Sequence, residues 1–354
     1  MDVACSCDID ETEYVRFLDR FAGRPSVVLA YHYPFYLRFL ATVAYPGSRP
    51  RFVVSRNERG ELAGVMPAVN LRTGRLNVWL SLAYFGPNAG ALVPDAETPG
   101  GAAAVRALTA AAQADARELG CGSMTVYTPL AADGSWYRDG LSGADFDVPR
   151  VALSVAIPKS PDESPWPRKV RYDIRRAESL GVTVRPIENA TELDAVWDIY
   201  RDGCEAAGIP IKAREHIRCL YRTARERGIF LAAEHGREIV AGLIALMGGG
   251  VVSYYLPCSR SDKRLLQPGL ALLDRAVAIA RAAGCRLLNF EGSPSVESSV
   301  YKFKTRCGGR PMTYRVLVKL LRAGVLDEYR ALGSEAIGRE APHAFIVPFE
   351  ALAS

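Results

Sequence analysis

The sequence predicts an α/β chain built from two diverged copies of one unit, each a mixed sheet flanked by helices. Three observations predict it. Short matches recur in the same order in both halves; three apolar runs divided by glycine turns read as an antiparallel meander; and an apolar-striped helix then runs into a further buried strand, as in a crossover.

The matches come first because they set the domain count. FVVSRNERGELAGV starts at Phe52 and FLAAEHGREIVAGL at Phe230, each with Ala-Gly eleven residues after the Phe, at Ala63-Gly64 and Ala241-Gly242. Ala116-Arg117-x-x-Gly120-Cys121 returns as Ala280-Arg281-x-x-Gly284-Cys285, closing an Ala-rich helical stretch in both copies. At the entry, CDIDETEYVRFL and PIENATELDAVW both pass from strand to helix, with Thr12-Glu13 against Thr191-Glu192. Gly64 and Gly120 are 56 residues apart and Gly242 and Gly284 are 42 apart, so the first copy carries 14 more, around NVWLSLAYFGPNAGALVP. The division falls near residue 150, giving domains over 1–150 and 151–325 and a last segment over 326–354.

In the second copy VTVRPI alternates as a strand, and Leu193, Val196, Trp197 and Tyr200 mark a helix behind a Thr191/Asp194 start that reads as a capping box. IFLAAEH and IVAGLIALM flank the turn His235-Gly236-Arg237, and VVSYYLPC follows the glycines Gly248 to Gly250. Leu270, Leu273, Val277 and Ala280 stripe a helix from Pro268 to Ala283 that ends at Gly284. CRLLNFEGS is then a buried strand, SVYKFKTR a short helix and MTYRVLVKL a closing strand.

Composition excludes other classes. The 354 residues are 49% apolar and 23% charged, with net charge +5, which is globular at two-domain length and neither disordered nor collagenous. The longest apolar run, from Ile239, is broken by glycines and too short to cross a bilayer, so no membrane partner is expected. The acidic start MDVACSCDIDETEY has no secretory pattern, which predicts a cytoplasmic protein. In that compartment eight cysteines are free thiols, and Cys5-x-Cys7 lacks a second ligand pair, so no metal site is expected.

The element order, with PGLALLDRAVAIARAAGCRLLNFEGS, VYKFKTRCGG and a strand beginning MTYR, resembles the GNAT acyltransferase superfamily and within it the Fem-type (FemAB-like) branch. RKVRYDIRRAESLGVTV is similar to the basic helix that introduces the second GNAT copy there. The resemblance covers roughly residues 20–320. It implies tandem GNAT-like domains of which the first is degenerate and walls the acceptor cleft, the second is catalytic, and the tail returns to the first. It also implies an N-acyltransferase that moves an aminoacyl group from aminoacyl-tRNA to a small amine or amino-acid-containing acceptor. Acyl-CoA is the alternative donor, a non-catalytic nucleic-acid or protein binding subunit is a third reading, and no resident cofactor is implied. The long coiled-coil arm of some peptidoglycan members is missing.

Acyl transfer to an amine needs a way to deprotonate the amine, donors for the oxyanion and an acid for the leaving group. His32, His216, His235 and His343 lie in no catalytic pattern, so direct attack is expected. Glu291, at the end of LLNFEG where the family places an acidic residue, either orients or deprotonates the amine or accepts N–H groups from the next helix. Tyr301 and Lys304 would share a helix face with Glu297. The resemblance implies that Tyr301 protonates the leaving atom, and Lys304 a phosphate or oxyanion contact; an exposed helix face is the alternative. Of Tyr254 and Tyr255, alternation lets one face the cleft, and Tyr255 is expected there, with oxyanion donors among backbone N–H groups near Leu256.

For the donor, CoA-dependent GNAT proteins resemble one another in an Arg/Gln-x-x-Gly-x-Gly/Ala loop, which here reads Arg264-Leu265-Leu266-Gln267-Pro268-Gly269. Arg264 and Gly269 fit, whereas Gln267 replaces the central glycine and Pro268 has no N–H to give. Residues 168–176 carry five positive charges and one negative, with Arg168, Arg171 and Arg175 along one face, a stripe suited to the phosphates of tRNA or to plain solvation. Aromatic clusters at Tyr31–Tyr36, at Trp79 and at Tyr84–Pro87 serve either the acceptor cleft or the core.

Overall fold

The computed structural model describes residues 2–353 apart from 22–26, 83–89, 131, 133 and 294. The Tyr84–Pro87 cluster lies outside them. Two compact units emerge, residues 152–311 and residues 1–151 with 312–354.

The first unit opens with β1 (Asp2–Ser6) and α1 (Glu11–Asp19), which starts where the Asp10 carboxylate accepts the Glu13 N–H at 2.7 Å. After α2 (Pro34–Phe39) the chain forms the meander β2 (Arg49–Arg56), β3 (Leu62–Thr73) and β4 (Leu76–Leu80). α3 (Pro99–Glu118) crosses over to β5 (Ser123–Tyr127), which lies parallel to β4. α4 (Ser135–Gly140) and β6 (Phe146–Ala156) follow. Tyr31, His32, Tyr33, Phe35 and Tyr36 are all buried, and Trp79 is buried with its Nε1–H donated to Asp115, so these aromatics build the core of this unit.

In the second unit α5 (Arg168–Ser179) turns Val170, Ile174 and Ala177 onto the core, which leaves its arginines outside. β7 (Val182–Pro186) leads to α6 (Ala190–Ala207). The cap of α6 is Asn189, whose side chain accepts the Glu192 N–H at 3.0 Å, two residues ahead of the predicted Thr191 box; Gly208 at φ +63° ends the helix. α7 (Arg214–Thr223) has only Ile217, Cys219 and Leu220 facing inward, too sparse a stripe for the periodicity to find. The meander β8 (Gly228–His235), β9 (Glu238–Gly248) and β10 (Val251–Ser259) turns where expected, at Gly236 and at Gly249-Gly250, all with positive φ. α8 (Pro268–Ala282), β11 (Leu287–Gly292), α9 (Ser299–Arg306) and β12 (Arg310–Leu320) complete the run.

The two units repeat one strand order. In the first unit the strand order is β1-β2-β3-β4-β5-β12, and in the second β7-β8-β9-β10-β11-β6 read from the other edge. Each is antiparallel except for one parallel pair, β4 with β5 and β10 with β11. The closing strands are exchanged relative to chain order: residues 316–320 of β12 pair with β5, and residues 152–156 of β6 pair with β11. The boundary accordingly falls at Pro311 and Met312 instead of at 325. α10 (Val325–Leu332) and α11 (Ser334–Glu340) belong to the first unit, where Tyr329 hydrogen-bonds Ser123 at 2.9 Å and Tyr45 donates to the Pro342 carbonyl at 2.9 Å.

The matched Ala-Gly pairs lie on equivalent strands but face opposite ways. The Cβ position of Gly64 is 2.9 Å from Leu108 on α3, whereas that of Gly242 points into Val196 on α6. At Gly242 the Val196 side chain of α6 lies against the strand and leaves no room for another. Gly242→Val is expected to destabilise the protein by about 1–3 kcal/mol, as over-packing does, measured by urea denaturation; an unchanged midpoint would show that α6 yields.

Candidate active site

The site begins where two parallel strands part. β10 and β11 pair over Val251–Ser253 and Leu287–Asn289 and no further, because each becomes irregular at that point. In β10, Tyr255 is an extra residue between the pairs Tyr254 with Ala245 and Leu256 with Ile244. In β11 the register against β6 shifts between Asn289 and Gly292, and Glu291 takes φ +62°. A left-handed glutamate costs about 1–3 kcal/mol and persists only when its surroundings enforce it.

Asn289 and Lys304 enforce it. The Asn289 side chain accepts the Glu291 N–H and donates to Glu291 Oε1, both at 2.9 Å, closing a ring around the turn. Lys304 Nζ donates to the Glu291 carbonyl at 3.2 Å, the Gly292 carbonyl at 2.7 Å and Ser293 Oγ at 3.2 Å. The residue is 4% exposed, so Lys304 points inward and holds the strand end. Burial lowers its pKa to about 8, with the Glu291 charge acting in the opposite direction.

The bulge separates the two tyrosines. Tyr254 packs edge-on against Phe290 at 5.4 Å within the α5/α8 core, while Tyr255 lies on the other face of the sheet, under Lys212. Lys212 is the residue the sequence reading missed. It lies in the link between α6 and α7, 3% exposed, with Nζ 5.2 Å from the centroid of the Tyr255 ring and 5.8 Å from that of Tyr200. Its carbonyl accepts Trp197 Nε1–H at 2.9 Å and its N–H is donated to Tyr200 Oη at 3.2 Å. Burial lowers its pKa to about 7 against the opposing pull of Cys204 and Glu291. The available signal was a lysine set among Ile209, Pro210, Ile211 and Ala213, an apolar run just past a helix-ending glycine.

The other expected residues divide. Tyr301 is half-buried in the first turn of α9, packs against the α5/α8 core and receives a cap from Ser298 Oγ to its N–H at 3.1 Å. Glu297 precedes that cap, so the face it was expected to share with Tyr301 and Lys304 does not form. Arg264 sits in a short turn over Ser261–Leu266; its carbonyl accepts the N–H of Gln267, which adopts φ +58°, the conformation a glycine would take there. Pro268 opens α8, and the space around Gly269 is clear. On α5, Arg171 and Arg175 line a pocket of about 340 Å³ with Trp166, Asp274 and Arg281, which Arg168 does not join. Arg281 there donates to the carbonyls of Pro161 and Glu163 at 3.2 and 3.1 Å, and Trp166 to Asp274 at 2.6 Å. Glu163 and Glu178 line the same pocket, so its three arginines face three carboxylates, and Tyr172 on α5 is 60% exposed.

Residues 167–304 match the family model of the acetyltransferase (GNAT) domain. This segment is a GNAT domain. It contains Lys212, Glu291, Tyr301 and Lys304. None of the curated proteins matches the chain significantly. Among solved structures it is similar to FemX, at 13% identity over 89% of this chain and 97% of that one with a TM-score of 0.68. It is similar also to a tandem GNAT protein from the clavulanic acid biosynthesis pathway, at 12% identity over 91% and 99% with a TM-score of 0.54. L-PGS from Bacillus licheniformis gives 13% identity over 89% and 93%, with a TM-score of 0.54. These likenesses show that the fold is shared over most of the chain. No helix among the described residues is long and apolar enough to cross a membrane.

Because the pKa of Lys212 is about 7 in the folded chain and 10.5 is its ordinary value, the unfolded chain between these limits holds a proton that the folded one lacks. Stability from this group therefore rises with pH across that window. Urea denaturation at pH 7 and pH 9.5 is expected to show the wild type gaining on Lys212→Met as pH rises; a constant difference would place the lysine in water.

Proposed function

We propose that the second unit forms an amide by transferring an aminoacyl group from aminoacyl-tRNA to the amine of a small or peptide-like acceptor. The observation that carries this reading is the outward basic face of α5, where Arg171 and Arg175 line a pocket and Tyr172 is exposed. Outward guanidinium groups suit phosphates, and an exposed aromatic ring suits a stacked base. Pro268 supports it too, since the start of α8 lacks one N–H that a pyrophosphate would use.

The reaction belongs to the second unit because the first has lost the equivalent place. Aligning the parallel pairs by register, Val78 with Ser123 and Val251 with Leu287, puts Tyr127 where Glu291 stands. There the C-terminal segment closes over the strand end, with Thr125 Oγ1 donating to the Phe345 carbonyl at 2.8 Å and Arg150 stacked over the Phe345 ring. In the second unit Glu291 orients the acceptor's ammonium, backbone N–H groups beside the bulge near Leu256 stabilise the oxyanion, and Tyr301 protonates the leaving oxygen. Lys304 acts through Glu291 as a positioning residue.

A second reading keeps the fold and takes acyl-CoA as donor. Gln267 in a left-handed conformation and the clear Gly269 favour it, since together with Arg264 they retain the shape of a pyrophosphate loop.

Fluorescence anisotropy of the full chain with charged tRNA, uncharged tRNA and a labelled acyl-CoA, over a salt series, separates the two. Charged tRNA is expected to bind best, and Arg171→Ala/Arg175→Ala to flatten the log–log salt dependence by about 2, one for each phosphate that the variant leaves unneutralised. Acyl-CoA binding without a tRNA preference would replace the donor.

A further inference from the structure

Acyl transfer through Glu291, Tyr301 and Lys304 leaves one buried charge at the parting of β10 and β11 without a task, that of Lys212. A lysine next to a helix end ordinarily runs its stem along the surface and keeps its ammonium in water. Lys212 does the reverse, and its main chain is fixed on both sides, by Trp197 at the carbonyl and Tyr200 at the N–H. Desolvating an ammonium at this place is costly, and the ring faces of Tyr200 and Tyr255 and the Glu291 charge offset part of that cost. The side chain reaches the bulge at Tyr255, within the field of Glu291.

We propose that Lys212 is the proton acceptor for the incoming amine. This role rests on the acyl-transfer reading of the site. The ionisable groups facing Lys212 are Tyr200 and Cys204 from α6, Tyr255 from β10 and Glu291 from β11, with Lys304 of α9 acting on the same carboxylate. Burial pushes the Tyr200 hydroxyl above its ordinary range, so it stays neutral at pH 7. Lys304 is committed as a donor to three oxygens. Glu291 Oε1 already accepts from Asn289, which suits orientation of a cation. Lys212 remains, with a pKa near neutrality that leaves part of it as free amine in working conditions.

The step balances without a further reagent. The acceptor's ammonium gives one proton to the lone pair of Lys212 Nζ and keeps the electron pair of that N–H bond, which then attacks the acyl carbon. As the tetrahedral species collapses, the bond to the leaving oxygen breaks with its pair going to that oxygen, which Tyr301 protonates while its own oxygen takes up the second proton released by the nitrogen. The ammonium of Lys212, held between two ring faces and near Glu291, returns its proton to water when product leaves.

Two amines test this. Methoxyamine is uncharged at pH 7 and needs no base, whereas ethylamine is protonated and does. With whichever donor the wild type uses, Lys212→Met and Lys212→Arg are expected to lose about 10²-fold or more in single-turnover transfer to ethylamine at pH 7. Both should stay within about threefold of wild type with methoxyamine. Carbon-13 NMR of the full chain labelled at lysine Cε is expected to show a resonance that titrates near neutrality and vanishes in Lys212→Met. Equal losses with both amines in variants that melt cooperatively, or a Lys212 resonance titrating in the ordinary lysine range, overturn the role. A wild type that uses neither amine with either donor overturns the acyl-transfer reading itself, and the role of Lys212 with it.

Discussion

Much of the second unit follows from the early end of one strand pair. β10 and β11 share three residue pairs and then separate, and the gap exists because Glu291 is held at φ +62° and Tyr255 is squeezed out of its ladder. Neither irregularity would survive alone. Asn289 closes a ring of hydrogen bonds on Glu291 and Lys304 binds the carbonyls on its far side, so two buried polar side chains hold one unfavourable torsion. This fits the position of Lys304 within α9: the helix is amphipathic, and what faces the strand end is the ammonium itself.

The first unit is an internal control. It has the same strand order, the same parallel pair and the same crossover helix, yet Tyr127 replaces Glu291 and residues near Phe345 bond to the strand end. The polar atoms at that strand end are satisfied by chain, with no comparable pair of buried lysines among the described residues. Two units of one topology thus differ at this corner, where the second unit gathers a left-handed glutamate and two desolvated lysines. Perturbed charges gathered in one place mark function better than any one of them does.

Local pattern made the meander turns at Gly236 and Gly249-Gly250, the span of α8 and the placement of Glu291 legible, since each is set by residues within a few positions. Long-range facts were not. Exchange of β6 and β12 leaves no trace in either strand, because an apolar strand fits either partner, so the end of the second unit expected at 325 lies past the observed one at Pro311. The facing of Gly64 and Gly242 shows the same limit: a side-chain period of two makes a one-residue offset invisible to a letter match and decisive for packing. Lys212 escaped for a third reason. Nothing in a loop sequence says which way a long side chain turns.

In the proposed reaction, chemistry and substrate capture use different physics and fall on different elements. On α5, burial of Val170, Ile174 and Ala177 forces Arg171 and Arg175 outward, where a charge costs little and salt screens it. Such a surface can recruit a polyanion but cannot alter a proton affinity. At the β10–β11 gap the surroundings are low in dielectric, so a single carboxylate or ring face changes the protonation of its neighbour. A proton acceptor therefore has to come from within, on a segment fixed at both its N–H and its carbonyl, and the link between α6 and α7 meets that requirement through Tyr200 and Trp197.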